Sequence, residues 1–231
     1  MTPSCESTAA SAGRRVRVWD GPVRLFHWLL VVFLAGGWIS VEAGIEYMQW
    51  HMRCGYAVLV LLVFRLLWGV WGSDSARFRG FLRGPRAVIG YAWAWLSRRP
   101  QHFLGHNPLG GWMVVLLLVL VAVQAITGLF ANDDIFNEGP LAAWVGKETS
   151  DWLTFIHKRN FNLLLAAVGL HVTAVMLYLV RGENLVKAMF TGSKPAAEYV
   201  DRPPVLAPWW RAVVLLALSA GAVWLLVDVL P

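Results

Sequence analysis

The sequence predicts an all-α integral membrane protein: a four-helix transmembrane bundle followed by a fifth, C-terminal transmembrane helix. Of its 231 residues, 58% are hydrophobic and 15% are charged, and the mean hydropathy is +0.55. Soluble domains have about 45–50% apolar and about 25% charged residues, so the composition argues against a soluble enzyme and excludes a disordered chain. The 14 Trp residues are typical of proteins whose aromatic rings lie at the lipid headgroups.

Five apolar runs reach the length of about 20 residues that a helix needs to cross a bilayer. They cover about 22–41, 51–72, 109–131, 153–180 and 208–229. None alternates in polarity, so we expect no β-barrel. We expect residues 1–21 to form a cytoplasmic tail and residues 22–192 a domain of four spans. Residues 193–231 would supply a Pro-rich linker and the fifth span.

Basic and acidic residues separate between the two sides of these spans. The tail and the segment between the second and third spans are rich in arginine, namely Arg14, Arg15, Arg17, Arg77, Arg79, Arg83, Arg86, Arg98 and Arg99. The segment after the third span contains Asp133, Asp134, Glu138, Glu148 and Asp151 against Lys147. The positive-inside rule then predicts a cytoplasmic N-terminus and a C-terminus on the outer side. We therefore interpret the basic residues behind the net charge of +6 as signals that orient the spans, and not as a surface that binds nucleic acid. The expected partner is membrane lipid.

Smaller features limit the remaining classes. Cys5 and Cys54 form no CxxC or CxxCH motif, which excludes a Cys-rich zinc site, a thioredoxin-type motif and covalently attached haem. The first twenty residues lack a short apolar core, so we expect no cleaved signal peptide. The segment from Pro85 to Arg99 is predicted either as a short helix in the membrane interface or as an irregular aromatic loop.

Four of the six histidines lie in or at the edge of spans, where ionisable side chains are costly and indicate function. His157 and His171 are 14 residues apart, so they share one helix face about 21 Å apart along the axis. By depth, His51 matches His157 near the outer side, and His27 matches His171 near the inner side. We call these the outer pair and the inner pair.

Two imidazoles from different helices, in an apolar bundle without nearby carboxylates or thiolates, favour the iron of a bis-His haem. Zinc would need more ligands. The sequence therefore predicts two non-covalent haem b groups. Small residues that would let a haem approach a helix are Gly36, Gly37, Gly55 and Gly169, although they equally suit helix–helix packing.

Haem propionates need cations, and four basic residues lie at suitable depths. Arg53, Lys158 and Arg159 flank the outer pair, on the side where basic residues are disfavoured. Arg65 follows His51 by 14 residues, which places it on the same helix face at the depth of the inner pair. We expect Arg65 to contact an inner propionate, the alternative being a backbone carbonyl.

His102 and His106 precede the third span. Asn107 and Pro108 are explained by the start of a helix, but His106 is not. A titratable imidazole at the lipid interface suits proton exchange with a quinone, so His106 is a candidate quinone contact.

The residues around these histidines resemble the bacterial cytochrome b561 / nickel-iron hydrogenase b-type cytochrome family over about residues 17–192. The matching segments are Phe26-His27-Trp28, His51-Met52-Arg53-Cys54-Gly55, Phe64-Arg65-Leu66, Gly105-His106-Asn107-Pro108-Leu109-Gly110 and Val168-Gly169-Leu170-His171. The resemblance implies that His27, His51, His157 and His171 ligate the iron of two b haems. The fifth span lies outside this shared core.

The resemblance also implies electron transfer in the bacterial inner membrane between the quinone pool and a periplasmic partner. That partner would be a c-type cytochrome, a hydrogenase or another reductase. The first alternative is a self-sufficient quinone-linked oxidoreductase such as a superoxide oxidase. A non-redox transporter is a remote alternative, because the sequence shows neither internal repeats nor broken helices.

Overall fold

A computed structural model describes residues 15–97, 101–195 and 202–230. These residues form eight α-helices: α1 (Gly21–Ala43), α2 (Met48–Trp71), α3 (Phe78–Phe81), α4 (Pro85–Leu96), α5 (Pro108–Gly128), α6 (Lys147–Val180), α7 (Leu185–Thr191) and α8 (Trp209–Trp224). Two short strands, β1 (Arg15–Arg17) and β2 (Ser193–Pro195), pair in antiparallel fashion. Single turns at Ile45–Tyr47, Ala142–Trp144 and Leu225–Val229 extend or connect the helices.

Five of these helices are long and apolar enough to cross a membrane: α1, α2, α5, α6 and α8. This confirms the predicted all-α membrane bundle. The largest difference lies in α6, which begins at Lys147 rather than near residue 153 and runs for 34 residues. The negative charge of Glu148 in the first turn interacts favourably with the positive end of the helix dipole. Lys147 forms an ion pair with Asp151, one turn further along the helix. The apolar run thus predicted the membrane-buried part, and a polar turn extends it.

The spans pack around α2. Helix α1 lies along α2, α5 lies along α6, and α2 also contacts α5 and α8. Phe64 and Trp68 of α2 are buried in the same core as Leu118 and Val121 of α5. Helix α2 is therefore the central element of the bundle, and it carries His51 in its first turn and Arg65 in its second half.

The two ends of the bundle differ in charge, and we name them accordingly. The arginine-rich end contains β1, β2, α3, α4, α7 and the start of α1; the acidic end contains the loops 44–47 and 129–146. At the arginine-rich end, the backbone N–H groups of Val18 and Trp19 donate to the Gly192 carbonyl at 2.8 and 3.0 Å. Together with the β1–β2 pairing, these bonds form a clasp (residues 15–19 and 192–195). The clasp joins the start of α1 to the segment that follows α6.

Asp20 connects α1 to α2. One of its carboxylate oxygens accepts a hydrogen bond from the Val23 N–H at 2.7 Å, which caps α1. The other accepts from the indole N–H of Trp68 at 3.0 Å. Both side chains are buried, so this contact holds the first turn of α1 against the last turns of α2.

The segment that begins at Pro85 was expected to be either a short helix or an irregular loop. It forms the helix α4 (Pro85–Leu96). Tyr91 of α4 shares a hydrogen bond of 2.8 Å with Tyr178 of α6, and Asn107 donates to the same Tyr178 oxygen at 2.9 Å. Arg98 and Arg99, like Arg14 and Cys5, lie outside the described residues. Helix α4 is thus attached to the arginine-rich ends of α5 and α6.

Candidate haem sites

The outer pair lies at the acidic end, where α2 and α6 face each other. The ring centres of His51 and His157 are 6.0 Å apart, and the ring planes are inclined at 82°. Nδ1 of His51 donates to the Gly37 carbonyl at 2.9 Å, and Nδ1 of His157 donates to the Gln124 carbonyl at 2.9 Å. Bonds of this kind fix the tautomer of a ligating histidine and leave Nε2 as the ligating atom.

This geometry fits a bis-His metal site. A metal–imidazole bond of about 2 Å on each side puts the two nitrogens about 4 Å apart and the ring centres about 6 Å apart. The separation of 6.0 Å between the ring centres of His51 and His157 agrees with this value.

A polar network around His157 was not predicted. The Gln124 amide N–H donates to Nε2 of His157 at 3.0 Å, and Asn160 donates to the Gln124 side-chain oxygen at 2.8 Å. Asn160 is buried and also donates to the Leu120 carbonyl at 2.9 Å. The Gln124 amide therefore has to turn away before Nε2 can bind iron. The signal that could have found Gln124 and Asn160 is their position as polar residues in apolar spans.

Gly36, Gly37, Gly55 and Gly169 were expected either to let a haem approach a helix or to serve helix–helix packing, and the structure separates them into two groups. A side chain at Gly36 or Gly37 would contact Cys54 at 3.3 and 3.5 Å, whereas Gly55 and Gly169 face open space. Gly36 and Gly37 thus serve the packing of α1 on α2, whereas a side chain at Gly55 or Gly169 would meet no neighbouring atom within 4 Å. A further glycine, Gly128, faces the ring of His157, where an added Cβ would lie 3.0 Å from Cε1.

The two histidines of the inner pair lie on α1 and α6. His27 and His171 are close enough to interact electrostatically. The Nδ1 atom of His27 is buried, and no described residue hydrogen-bonds to it. The neighbouring Trp28 indole N–H is likewise buried and unpartnered. Buried polar groups normally find partners, so these atoms indicate a group that belongs between the two helices.

Arg65 gives the clearest indication of what that group is. Its side chain is 3% exposed, and Nη1 has no hydrogen-bond partner among the described residues. Its guanidinium carbon lies 4.8 Å from the centre of the Phe78 ring. A buried, unpaired charge is strongly destabilising, so the site fits an anionic group such as a haem propionate.

His106 lies among the groups of the inner site. Its ring centre is 4.6 Å from that of Trp19 and 4.5 Å from that of Phe81. Burial, followed by the positive charges of Arg65 and Lys194, lowers the pKa of His106 to about 3. The imidazole is therefore neutral at physiological pH, with Nδ1 buried and unpartnered.

The cations proposed for the outer propionates are exposed. Arg53 and Arg159 lie over the rings of Trp50 and Phe155, at 5.0 and 5.2 Å from the ring centres. Lys158 borders a shallow hollow with Asp133, Asp134 and Asp151. All three side chains are exposed, in contrast to the buried Arg65.

The fold and the site define a class: a multi-pass helical membrane protein with two pairs of imidazoles at two levels of one bundle. The family model for prokaryotic cytochrome b561 matches residues 18–192. The chain therefore belongs to the prokaryotic cytochrome b561 family, whose members are b-type membrane cytochromes that carry haem b. This confirms the resemblance seen in the sequence.

Individual relatives point to two kinds of b-type cytochrome. The chain is 26% identical to the "Probable Ni/Fe-hydrogenase B-type cytochrome subunit" of Rhizobium leguminosarum bv. viciae, over 78% of this chain and 88% of the relative. It is 26% identical to the protein of the same name from Azotobacter vinelandii, over 81% and 91%. It is 24% identical to the "Probable superoxide oxidase CybB" of Yersinia pestis, over 71% and 90%. No solved structure gives a significant match.

Proposed function

We propose that this chain carries electrons across the bacterial inner membrane through two haem b groups. His27 and His171 ligate one iron and His51 and His157 the other. The observation that carries the proposal is the arrangement of the four imidazoles in two pairs, with the outer rings 6.0 Å apart. When bound, the haems would supply one-electron chemistry, and the two imidazoles of each pair would hold the iron.

The protein's own residues bind and orient these groups. The Gly37 and Gln124 carbonyls hold the outer imidazoles in the tautomer that presents Nε2. Arg65 supplies a buried positive charge near the inner pair, and Arg53, Lys158 and Arg159 supply exposed charges near the outer pair. The apolar faces of the spans exclude water from both sites.

The electrons pass between the quinone pool and a redox partner at the acidic end, which we place on the periplasmic side. We propose a hydrogenase-like protein or a c-type cytochrome, because relatives over most of the chain are named as hydrogenase cytochrome subunits. Lys147 pairs with Asp134 and Asp151, whereas Glu138 and Glu148 are exposed. These two carboxylates can attract a basic partner and speed its encounter.

A second candidate is a stand-alone superoxide oxidase, which the similarity to the Yersinia pestis protein favours. The two functions differ in their need for a partner. Purified holoprotein that reduces quinone with superoxide at a high rate would support the oxidase, and turnover that needs an added redox partner would support the electron-transfer subunit.

Single substitutions test the ligand pairs. His51→Ala and His157→Ala should remove the same component of the reduced-minus-oxidised spectrum, and His27→Ala and His171→Ala should remove the other. His102→Ala is the matched control, because His102 is exposed and belongs to neither pair. Loss of the same component in His27→Ala and His51→Ala would contradict the pairing.

A further inference from the structure

Lys194 is a buried cation beside the inner site that no sequence pattern indicated. It lies on strand β2 of the clasp and is 5% exposed. Its ammonium group donates to a Glu183 carboxylate oxygen at 2.8 Å and to the Phe103 carbonyl at 3.1 Å. An ammonium group has three donor hydrogens, and the described residues accept two of them.

His106 is a second donor in the same place. Its ring is held between Trp19 and Phe81, and Arg65, Lys194 and His171 all interact with it electrostatically. A neutral imidazole carries one N–H donor, and the site proposed below requires that proton on Nδ1, which is buried and has no hydrogen-bond partner among the described residues. Arg65 packs on Phe78 at 4.8 Å and His106 packs on Phe81 at 4.5 Å, and the two phenyl rings lie 5.8 Å apart. Lys194 donates to the carbonyl of Phe103, three residues before His106. The three side chains therefore lie in one part of the bundle.

The charges identify the acceptor as an anion. The carboxylate of Asp20 already accepts bonds from Val23 and Trp68, and the carboxylate of Glu183 pairs with Lys194. Within the described chain, no carboxylate forms an ion pair with Arg65. Asp20 compensates part of the Arg65 charge through space, but Nη1 of Arg65 still has no hydrogen-bond partner among the described residues. A carboxylate forms a stronger, charge-assisted bond with a guanidinium than an uncharged acceptor such as a quinone carbonyl does.

We propose that Lys194 and His106 complete, with Arg65, a binding site for one carboxylate of the inner haem. This proposal rests on the proposed function, which places a haem between His27 and His171. Because Lys194 belongs to the clasp, pairing of β1 with β2 assembles the carboxylate site at the same time as it joins the helices of the two inner ligands. The clasp is then part of the cofactor site.

Two neutralising substitutions test the role of Lys194 through opposite effects. Net charge and hydrogen bonding near a cofactor tune its reduction potential. Lys194→Met removes a positive charge, so it should lower the potential of the inner haem. Glu183→Gln removes the opposing negative charge, so it should raise that potential. Both should leave the outer haem unchanged, and Lys194→Arg should restore the parent value. Lys187→Met is the control, because Lys187 is exposed on α7.

His106→Phe tests the imidazole, because phenylalanine keeps the ring packing against Trp19 and Phe81 but removes the N–H donor. The inner potential should fall while the thermal unfolding midpoint stays close to that of the parent. The measurement is a redox titration that resolves the two haems in full-length holoprotein.

Several outcomes would overturn the proposal. Unchanged inner potentials in Lys194→Met and His106→Phe would do so, as would shifts of the same sign in Lys194→Met and Glu183→Gln. A changed rate of quinone turnover with unchanged potentials would make His106 a quinone contact instead. Haem content of the parent distinguishes these results from a failure of the proposed function. Parent protein that lacks the inner haem contradicts that function, whereas parent protein with two haems and unresponsive variants contradicts the carboxylate site alone.

Discussion

At the level of single residues, Arg65 has the clearest electrostatic role. Its guanidinium is buried in the bundle, and no carboxylate of the described residues forms an ion pair with it. In a medium of low dielectric constant, a propionate would stabilise this charge and be stabilised by it. The same buried charge would oppose the positive charge of oxidised iron and so influence the reduction potential.

Replacement of Arg65 by leucine should lower the reduction potential of the inner haem by about 60 mV, the one-electron equivalent of a tenfold change in equilibrium constant. The loss of a positive charge favours the oxidised state, and partial protonation of the freed propionate should make the potential more dependent on pH. Arg65→Lys should shift it less, because lysine keeps the charge but lacks the guanidinium geometry. A spectroelectrochemical titration measures both haems, and a shift confined to the outer haem would give Arg65 another partner.

Asp133 organises the loop at the acidic end. One of its carboxylate oxygens accepts backbone N–H bonds from Ile135, Phe136 and Asn137 at 2.9–3.0 Å. These bonds and the Asn137 side chain hold the pKa of Asp133 well below its usual range. A depressed folded-state pKa means that the ionised group stabilises the loop above the unfolded pKa of about 4, and that this stabilisation is lost as the pH falls below it.

Asp133→Asn should therefore lower the thermal unfolding midpoint at pH 7 and have progressively less effect as the pH falls from about 4. The exposed Glu138→Gln substitution is the control for loss of a negative charge in the same loop. Unfolding followed between pH 3 and pH 7 gives the comparison. A difference between Asp133→Asn and the parent that does not depend on pH would mean that the charge of Asp133 is not what holds the loop.

At the level of elements, the contact between α1 and α2 depends on Asp20. Asp20→Ala should destabilise the protein by about 2 kcal/mol or more, because it removes a helix cap worth about 1 kcal/mol and leaves a buried indole N–H without its acceptor. Asp20→Asn should be milder, since its side-chain oxygen still accepts one of the two bonds. Thermal unfolding in detergent measures the effect. Equal loss of stability in Asp20→Asn and Asp20→Ala would contradict the hydrogen-bond explanation.

The ends of the membrane-spanning helices were predicted well where hydrophobicity alone determines the length of the helix. The ends of α1, α2 and α5 lie within about three residues of the apolar runs, because burial in lipid sets those lengths. The start of α6 was not predicted, because local capping and the Lys147–Asp151 pair decide it. The clasp was not predicted either. Its strands, Arg15–Arg17 and Ser193–Pro195, are short and lie near opposite ends of the sequence, so no local pattern indicates that they pair.

In the candidate site, too, some residues could be predicted from the sequence and others could not. His27, His51, His157 and His171 could be found because an ionisable residue in an apolar span is rare, and a spacing of 14 residues defines a common face. Lys194 could not, because it lies in a polar segment where lysine is ordinary. The Asp20–Trp68 contact joins residues 48 positions apart, and only the fold brings them together.

At the level of the whole molecule, α8 packs on α2 but carries no histidine of its own. Ala212, Ser219 and Val223 of α8 are buried, while the family match ends at residue 192. Removal of residues 205–231 should leave both haems and their pairing in place and lower the thermal unfolding midpoint, because an apolar face of α2 becomes exposed. Haem content and unfolding of the truncated protein test this. Loss of one haem would make α8 part of a haem site.

The account as a whole depends on two haems held by four imidazoles. The most direct measurement is the number of haems per chain in purified full-length protein, obtained by pyridine extraction together with quantitative protein analysis. The account predicts two non-covalent protohaems per chain, both low-spin, and one haem in each of the four His→Ala variants. A single haem per parent chain, or haem that remains attached to the denatured polypeptide, would contradict it.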